Sequence, residues 1–477
     1  MEQHRLFIGG QWVESRSGQV FETVNPATEE VLATVARGNA QDIDDAVGAA
    51  RAAFEDTWGQ TKPRDRAELL FRLANLIRSR VDELAELETL DQGKPLPTAE
   101  REVLSTARYF DFYAGAADKF YGETIPLGPD YIDFTLREPL GVTAHIVPWN
   151  MPLNMVGRSV APALAMGNTA VVKPAEQTPL TALKLAELMQ SIGFPAGVYN
   201  VVTGYGEEAG AALSRHPGID SLTFTGSVET GRLVMQAAAE HIKPVVLELG
   251  GKSPHIIFAD ANLDTAVAEA AKAIYSNCGQ VCSAGSRLLV QREIREPFLD
   301  KLVAHSQALK IGPGIDSPDL GPLNSAEHYV RVQDYITAGQ QEGASLITGG
   351  ARPDHLQRGY FLAPTIFDGV QSHMRIAQEE IFGPVLSVLT FSDEDEALAL
   401  ANDVKYGLVA GIFTSDINRA MRLARGIRAG QIFINEYYAG GEETPFGGYK
   451  QSGFGREKGM EALFNYTQVK NVAIRIR

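Results

Sequence analysis

From residue 142 onward the chain alternates short apolar runs with amphipathic stretches, and this alternation constrains its fold more than any other feature. The runs span 142–147, 170–172, 199–202, 222–224 and 245–249. Each is continuously apolar, as a strand buried on both faces must be. Helix-like segments separate them, among them 179–191, where Thr178 suits the N-cap and Pro179 the first helical position. Strands and helices alternating at this spacing read as βαβ units on a parallel sheet. The pattern resumes at 255–258, 288–290, 385–391 and 431–434, with helices such as 264–275 and 393–402 between. The expected class is α/β, with two βαβ-type domains of parallel-rich sheet joined near Gly250-Gly251.

The first 140 residues have a different texture. Asn39 can cap a helix whose apolar face is Ile43, Val47, Ala50 and Phe54. A second helix from about Pro63 carries Leu70, Leu73, Ile77, Val81 and Leu84 on one stripe. Gly9-Gly10 ahead of Gln11-Trp12-Val13 reads as a β-hairpin. Residues 121–140, with Ile125, Tyr131, Asp133, Thr135 and Arg137 alternating, form a second hairpin, and the closing segment 468–477 alternates similarly. A terminal strand of that kind leaves an edge that another sheet or chain must cover. Residues 358–365 and 440–455 read as long Gly/Pro-rich loops, where function often resides.

Composition excludes several classes of partner. A chain of 477 residues is too long for one ordinary core and suggests two or three domains. A net charge of −16 repels phosphate backbones and anionic lipid, so neither nucleic acid nor membrane is expected as a partner. The most apolar region, 146–172, is broken by prolines and carries Arg158, which makes it core rather than a bilayer span. No apolar segment of signal-peptide length opens the chain. Two cysteines, Cys278 and Cys282, form neither a disulfide framework nor a four-ligand zinc site, so no metal is expected and a reducing cytoplasmic location is.

Cys282 sits in Gly279-Gln280-Val281-Cys282-Ser283, with Glu248 upstream in Leu247-Glu248-Leu249-Gly250-Gly251-Lys252 and Asn150 earlier in Pro148-Trp149-Asn150. A thiol, a carboxylate and an amide donor offer an attacking group, a water-activating base and an oxyanion ligand. Gly226-Ser227, with Gly231 beyond, follows an apolar run and opens a helical stretch, where a pyrophosphate can meet backbone N–H groups. The spacing is not the usual dinucleotide fingerprint. Lys173 and Glu176 close the run at 170–172, where a cation and an acid can hold ribose hydroxyls.

These motifs, in this order and spacing, resemble the aldehyde dehydrogenase superfamily over essentially the whole chain. Glu380-Ile381-Phe382-Gly383-Pro384 and Pro445-Phe446-Gly447-Gly448-Tyr449-Lys450, with Ser452-Gly453 beyond, extend the match. The resemblance implies a dinucleotide-binding domain over 1–119 and 141–250, a catalytic domain over 251–455, and a small β oligomerisation arm over 120–140 and 456–477. It implies assembly as a homodimer or homotetramer. It makes Cys282 the nucleophile toward a small-molecule aldehyde, giving a thiohemiacetal held by the Asn150 amide and the Cys282 N–H. A hydride then passes to nicotinamide, and Glu248 activates the water that hydrolyses the thioester. Gly226, Ser227 and Gly231 fall by the pyrophosphate, Lys173 and Glu176 on the adenosine ribose, Glu380 on the nicotinamide ribose and Phe382 against the ring. Pro148, Trp149 and Leu249 join the cofactor residues, and Glu457 matches a second carboxylate linked to proton relay.

Glu176 should repel a ribose phosphate, which favours NAD over NADP. The base at Glu248 separates the chain from relatives that pass the acyl group to coenzyme A. Met151, Met155 and Arg158 share a helical face toward the substrate entrance. Semialdehyde dehydrogenases acting on carboxylate-tailed substrates resemble this chain in placing an arginine there, though Ser276 stands where succinic semialdehyde enzymes carry a second one. Three readings of the tail stay open. They are a carboxylate-tailed semialdehyde gripped by Arg158, an aromatic aldehyde in a tunnel of Met151, Met155, Tyr437 and Tyr438, and an arginine paired with a neighbouring acid. An NADP-preferring or acylating relative is the rival enzyme, and an inactive structural or binding homologue the rival outside enzymes.

Overall fold

The computed structural model describes residues 2–476; Met1 and Arg477, the last residue of the expected arm, lie outside the described residues. Asn39 caps α1 (Ala40–Asp56) by accepting the N–H groups of Gln41 and Asp42, while the Asp42 carboxylate accepts the Asn39 N–H. The single stripe expected from Pro63 falls on two helices, α2 (Pro63–Ser79) and α3 (Val81–Gln92), which break at Arg80. The hydrophobic phase runs through the break, so spacing alone could not reveal it. α4 (Leu96–Ala116) packs against both.

The first large sheet has eight strands. In order they are Gly453–Phe454, Val245–Glu248, Ser221–Thr225, Val142–Ile146, Thr169–Lys173, Tyr199–Val201, Leu6–Ile8 and Gln11–Val13. The five from Val245–Glu248 to Tyr199–Val201 pair in parallel. The N-terminal hairpin and Gly453–Phe454 close the edges in antiparallel fashion. Helices on this sheet are α5 (Pro152–Ala165), α6 (Leu180–Ser191), the short α7 (Ala211–Arg215) and α8 (Val228–Ala239). Thr178 does not cap α6. Its hydroxyl donates to the Trp149 carbonyl at 3.4 Å, and the Leu180 N–H instead finds the Asp91 carboxylate of α3 at 3.1 Å.

The second sheet orders Ser345–Thr348, Thr365–Asp368, Val385–Phe391, Arg287–Gln291, Pro254–Ile257, Val409–Phe413 and Gln431–Ile434, all parallel except the first. α9 (Leu263–Tyr275) covers it and leads into the turn that carries Cys282. Three of its strands were not expected, the edge strand Ser345–Thr348 among them. Thr365–Asp368 begins where the 358–365 loop was read to end, and Val409–Phe413 sits against a glycine-rich surround. The expected loop at 440–455 contains the short strands Tyr449–Lys450 and Gly453–Phe454.

A separate three-stranded antiparallel sheet joins Thr467–Arg475, Tyr131–Pro139 and Thr124–Ile125. The terminal strand therefore pairs with its own chain along its full length, Thr467 opposite Pro139 and Arg475 opposite Tyr131. Among the described residues no helix is long and apolar enough to cross a membrane.

Candidate active site

Four adjacent parallel strands deliver site residues from their carboxyl ends, where α/β sheets form their binding crevice. Val142–Ile146 leads to Pro148-Trp149-Asn150, Thr169–Lys173 ends on Lys173, Ser221–Thr225 leads to Gly226, and Val245–Glu248 ends on Glu248. The second sheet brings Cys282 to the same place. A β-carbon on Gly251 would lie 2.4 Å from the Cys282 carbonyl oxygen, so the strand carrying Glu248 abuts the cysteine turn directly.

That turn is strained. Asn277 and Cys278 both hold positive φ, 47° and 56°, and Gly279 follows at 73°. Glycine is needed there twice over, because a β-carbon would also sit 2.1 Å from the Gly383 carbonyl oxygen. Buried amides hold the turn. The Asn150 side chain donates to the Gln280 carbonyl at 2.9 Å, and the Asn277 side chain to the Asn150 carbonyl at 2.9 Å. The Gln280 side-chain oxygen accepts the Asn324 N–H at 2.9 Å. These bonds fix the Asn150 amide beside the cysteine turn. Gln280 stood in the recognised motif without a role, and Asn277 and Asn324 gave no sequence signal, since a polar residue in a loop does not announce burial.

Cys282 is half-buried and lines a cavity of about 700 Å³, within the size range of a small-molecule pocket. Tyr109, Met151, Met155, Val281, Tyr438 and Phe446 supply apolar wall. Tyr437, expected there too, is fully buried behind it and donates to the Ser283 carbonyl at 3.0 Å. Burial pushes the Cys282 thiol up to about 12, with Arg158 pulling the other way. Glu248 is raised well above the ordinary carboxyl range, first by burial and then by Glu457, against the pull of Arg158.

Of the three open readings of Arg158, the structure shows the pairing with a neighbouring acid. The arginine is only 5% exposed, and its Nε ion-pairs with Glu457 while Nη2 lies 3.8 Å from a Glu248 oxygen. Its guanidinium also stacks over Phe446, 4.4 Å from the ring centre. Burial works against the arginine's charge, but Glu457 and Glu248 outweigh it and its pKa is raised. Met151 and Met155 do line the cavity as expected, and Ser276 lies on its wall.

On the other side of the cysteine turn, Ser227 caps α8 by accepting the Thr230 N–H at 3.1 Å, and the first-turn N–H groups of such a helix lack intrahelical acceptors. Gly231 lets that helix close on Leu249, since a β-carbon would come within 2.6 Å of the leucine. Lys173 is buried and donates to Glu176 at 2.8 Å. Glu380 accepts the Gly251 N–H at 3.0 Å, and burial pushes its carboxyl up to about 7. Phe382 meets Trp149 edge-on with ring centres 5.2 Å apart, and its carbonyl lies 2.7 Å from the His328 ring nitrogen. Ser452, quoted in the motif without a role, bridges the Gly250 carbonyl and the Gly407 N–H and so ties the Glu248 strand end to the short strand Tyr406–Gly407. The helix N-terminus, the Lys173–Glu176 pair and the Gly231 contact together fit a dinucleotide. Among the described residues no group of acids, histidines and cysteines is arranged to hold a metal ion.

The model of the aldehyde dehydrogenase family matches residues 12–472. This chain belongs to the aldehyde dehydrogenase family. As a family member it is an oxidoreductase acting on aldehydes with a nicotinamide cofactor, and its α/β architecture is the one the motifs implied. Hydroxyisobutyraldehyde dehydrogenase of Mycolicibacterium austroafricanum is 48% identical over 473 residues, 99% of this chain and 94% of that protein. Aldehyde dehydrogenase 1 of Tanacetum cinerariifolium is 49% identical, over 98% of this chain and 94% of its own. Among solved structures, the NAD+ complex of an aldehyde dehydrogenase from Bacillus cereus matches with a TM-score of 0.98 at 47% identity, covering 100% of this chain and 97% of that one.

Proposed function

We propose that this aldehyde dehydrogenase oxidises a neutral, apolar-tailed aldehyde to its carboxylic acid with NAD. The observation that carries the reading is the meeting of three groups from two sheets: Cys282 lines a cavity with an apolar wall, the Asn150 amide is held on the cysteine turn, and the Glu248 carboxylate lies close enough to act on the Cys282 thiol. Cys282 attacks the carbonyl carbon as its thiolate, the form that hydrolysis of the thioester regenerates, after its proton has passed to solvent water. The oxyanion of the thiohemiacetal is held by the Asn150 amide and the Cys282 N–H. NAD, when bound, accepts the hydride that leaves this carbon. In hydrolysis the water oxygen bonds the acyl carbon while a proton passes to Glu248, and the C–S bond breaks to free the acid and the Cys282 thiolate. The dinucleotide lies over residues 1–119 and 141–250, with Gly226, Ser227 and Gly231 at its pyrophosphate. Lys173 and Glu176 take the adenosine ribose, while Glu380, Phe382, Pro148, Trp149 and Leu249 line the nicotinamide end. Residues 251–455 form the catalytic domain.

The neutral tail follows from charge. Arg158, the cation that would grip a carboxylate tail, is already paired with Glu457 and lies 3.8 Å from Glu248, so its charge is engaged within the protein. The arginine also occupies the Phe446 face that a cationic tail would use. Residues 120–140 and 456–477 form an arm that joins copies of the chain as a dimer or tetramer, a reading supported by the apolar side chains exposed on it. A reducing, cytoplasmic location suits two free cysteines.

The test is NADH formation. Cys282→Ala should abolish it, and Glu248→Gln should leave a burst of NADH with little turnover. For the wild type, kcat/KM for benzaldehyde should exceed that for succinic semialdehyde by about tenfold or more, which corresponds to about 1.4 kcal/mol. The reverse order sinks the neutral-tail reading. Wild-type turnover by Glu248→Gln sinks the base.

A further inference from the structure

Three segments far apart in sequence meet at Arg158. It projects from α5, Glu248 ends the strand Val245–Glu248, and Glu457 follows Gly453–Phe454, which pairs with that strand through Glu248 and Gly453. Glu248 is 2% exposed and Glu457 1%. Phe446 and Glu457 exchange backbone N–H···O bonds of 2.7 Å in both directions, so the ring beneath the guanidinium and the acid beside it move as one piece. Among the described residues no hydrogen-bond donor of good geometry reaches any of the four carboxylate oxygens of Glu248 and Glu457. Two buried acids are therefore compensated chiefly by one cation held between them.

We propose that Arg158 is a positioning residue, which holds Glu248 and Glu457 as one carboxylate pair sharing a guanidinium and so keeps Glu248 ready to take the proton of the deacylating water. This rests on the reading of Glu248 as the base. A buried pair of like charges cannot both ionise cheaply, and a guanidinium within reach of both lowers that cost. The proton count then belongs to the pair rather than to either acid. Burial raises Glu457, as it does Glu248, and Arg158 opposes the rise in both. Other titratable groups face the cluster from each packed element. Arg456 acts on Glu248 and Lys458 on Glu457. Tyr109 and Tyr113 of α4, and Tyr466, feel both Glu457 and Arg158, and Cys282 feels Arg158. Among the described residues, Arg158 is the one cation that ion-pairs with either acid.

The experiment measures acid release from the acyl-enzyme by rapid quench across pH, beside the NADH burst, in the purified full-length enzyme. Glu248 must be ionised to accept a proton, so release rises with pH through the titration of the pair. Arg158→Met should move that acid limb upward by on the order of one to two pH units, with a burst amplitude still near about one per active subunit. Arg158→Lys should bring the limb most of the way back. Glu457→Gln removes the like charge and should move it downward. Opposite shifts from neutralising the cation and the second acid are the signature, since a purely structural cluster would lower rates without that pattern. If Arg158→Met fails to fold, Arg158→Lys and Glu457→Gln carry the test. A limb coincident with the wild type in Arg158→Met, or in Glu457→Gln where Arg158→Met does not fold, overturns the proposal. A wild type without a burst, or release by Glu248→Gln at the wild-type rate, would instead mark failure of the underlying reading of the base.

Discussion

At the scale of single residues, chemistry was legible where a motif fixed it and illegible where a partner was remote. Cys282, Glu248 and Asn150 stood out as a set, and the structure brings them to one place. Arg158 was placed correctly on a helix facing the cavity, but its partner Glu457 lies some three hundred positions away, and no spacing rule reaches that far. Glu176 is the residue whose role is most directly testable. Its carboxylate accepts from Lys173 at 2.8 Å, with Lys173 almost wholly buried and Glu176 about a quarter exposed. Glu176→Ser removes a charge that would repel the 2′-phosphate and frees the ammonium that could bind it. Both effects act in the same direction. The ratio of kcat/KM for NADP over NAD should rise by about tenfold or more. An unchanged ratio would show that Glu176 does not face the ribose.

At the scale of elements, continuous apolar runs marked the parallel strands because those strands are buried on both faces. The same logic failed for Thr365–Asp368, a four-residue strand whose loop-like flank hid it, and for the helix break at Arg80, which preserves hydrophobic phase. The start of α6 came within one residue of the expected one, but Thr178 does not cap it, because Asp91 on another helix accepts the Leu180 N–H. α5 shows the limit most plainly. Every residue from Pro152 to Ala165 is buried, so burial does not set its cavity-facing side, with Met155 and Arg158, apart from the rest. The turn that carries Cys282 depends on Gly279 for both its conformation and its contact with Gly383. Gly279→Ala should destabilise the fold by about 1–3 kcal/mol or more. It should also weaken the NADH burst more than coenzyme binding, because the displaced turn bears Cys282, the proposed nucleophile. Denaturant unfolding beside burst kinetics checks this, and a wild-type burst would mean that the turn tolerates the shift.

At the scale of the whole molecule, the arm is where the proposed assembly can be tested. Its terminal strand is satisfied by Tyr131–Pro139, so main-chain pairing is already met along that side. What remains is an apolar face. Ile132 lies opposite Ile474 and Phe134 opposite Val472, while Ile132, Leu136 and Ile474 are 48%, 41% and 43% exposed. Side chains at alternate positions share one face of a sheet, so these residues form a contiguous patch of the kind that marks an interface. Burying each such isoleucine against a second copy contributes about 1.5–3 kcal/mol, and the patch is doubled by symmetry. Glu in place of Ile132 or Ile474 would put a charge into that contact without touching the sheet's hydrogen bonds. Light scattering should then report a smaller assembly for Ile132→Glu and Ile474→Glu, with far-UV circular dichroism unchanged. The active site lies in the two large sheets of a single chain, so the dissociated species should keep the NADH burst per subunit. An assembly of wild-type mass in both variants would remove the arm's exposed face from the interface.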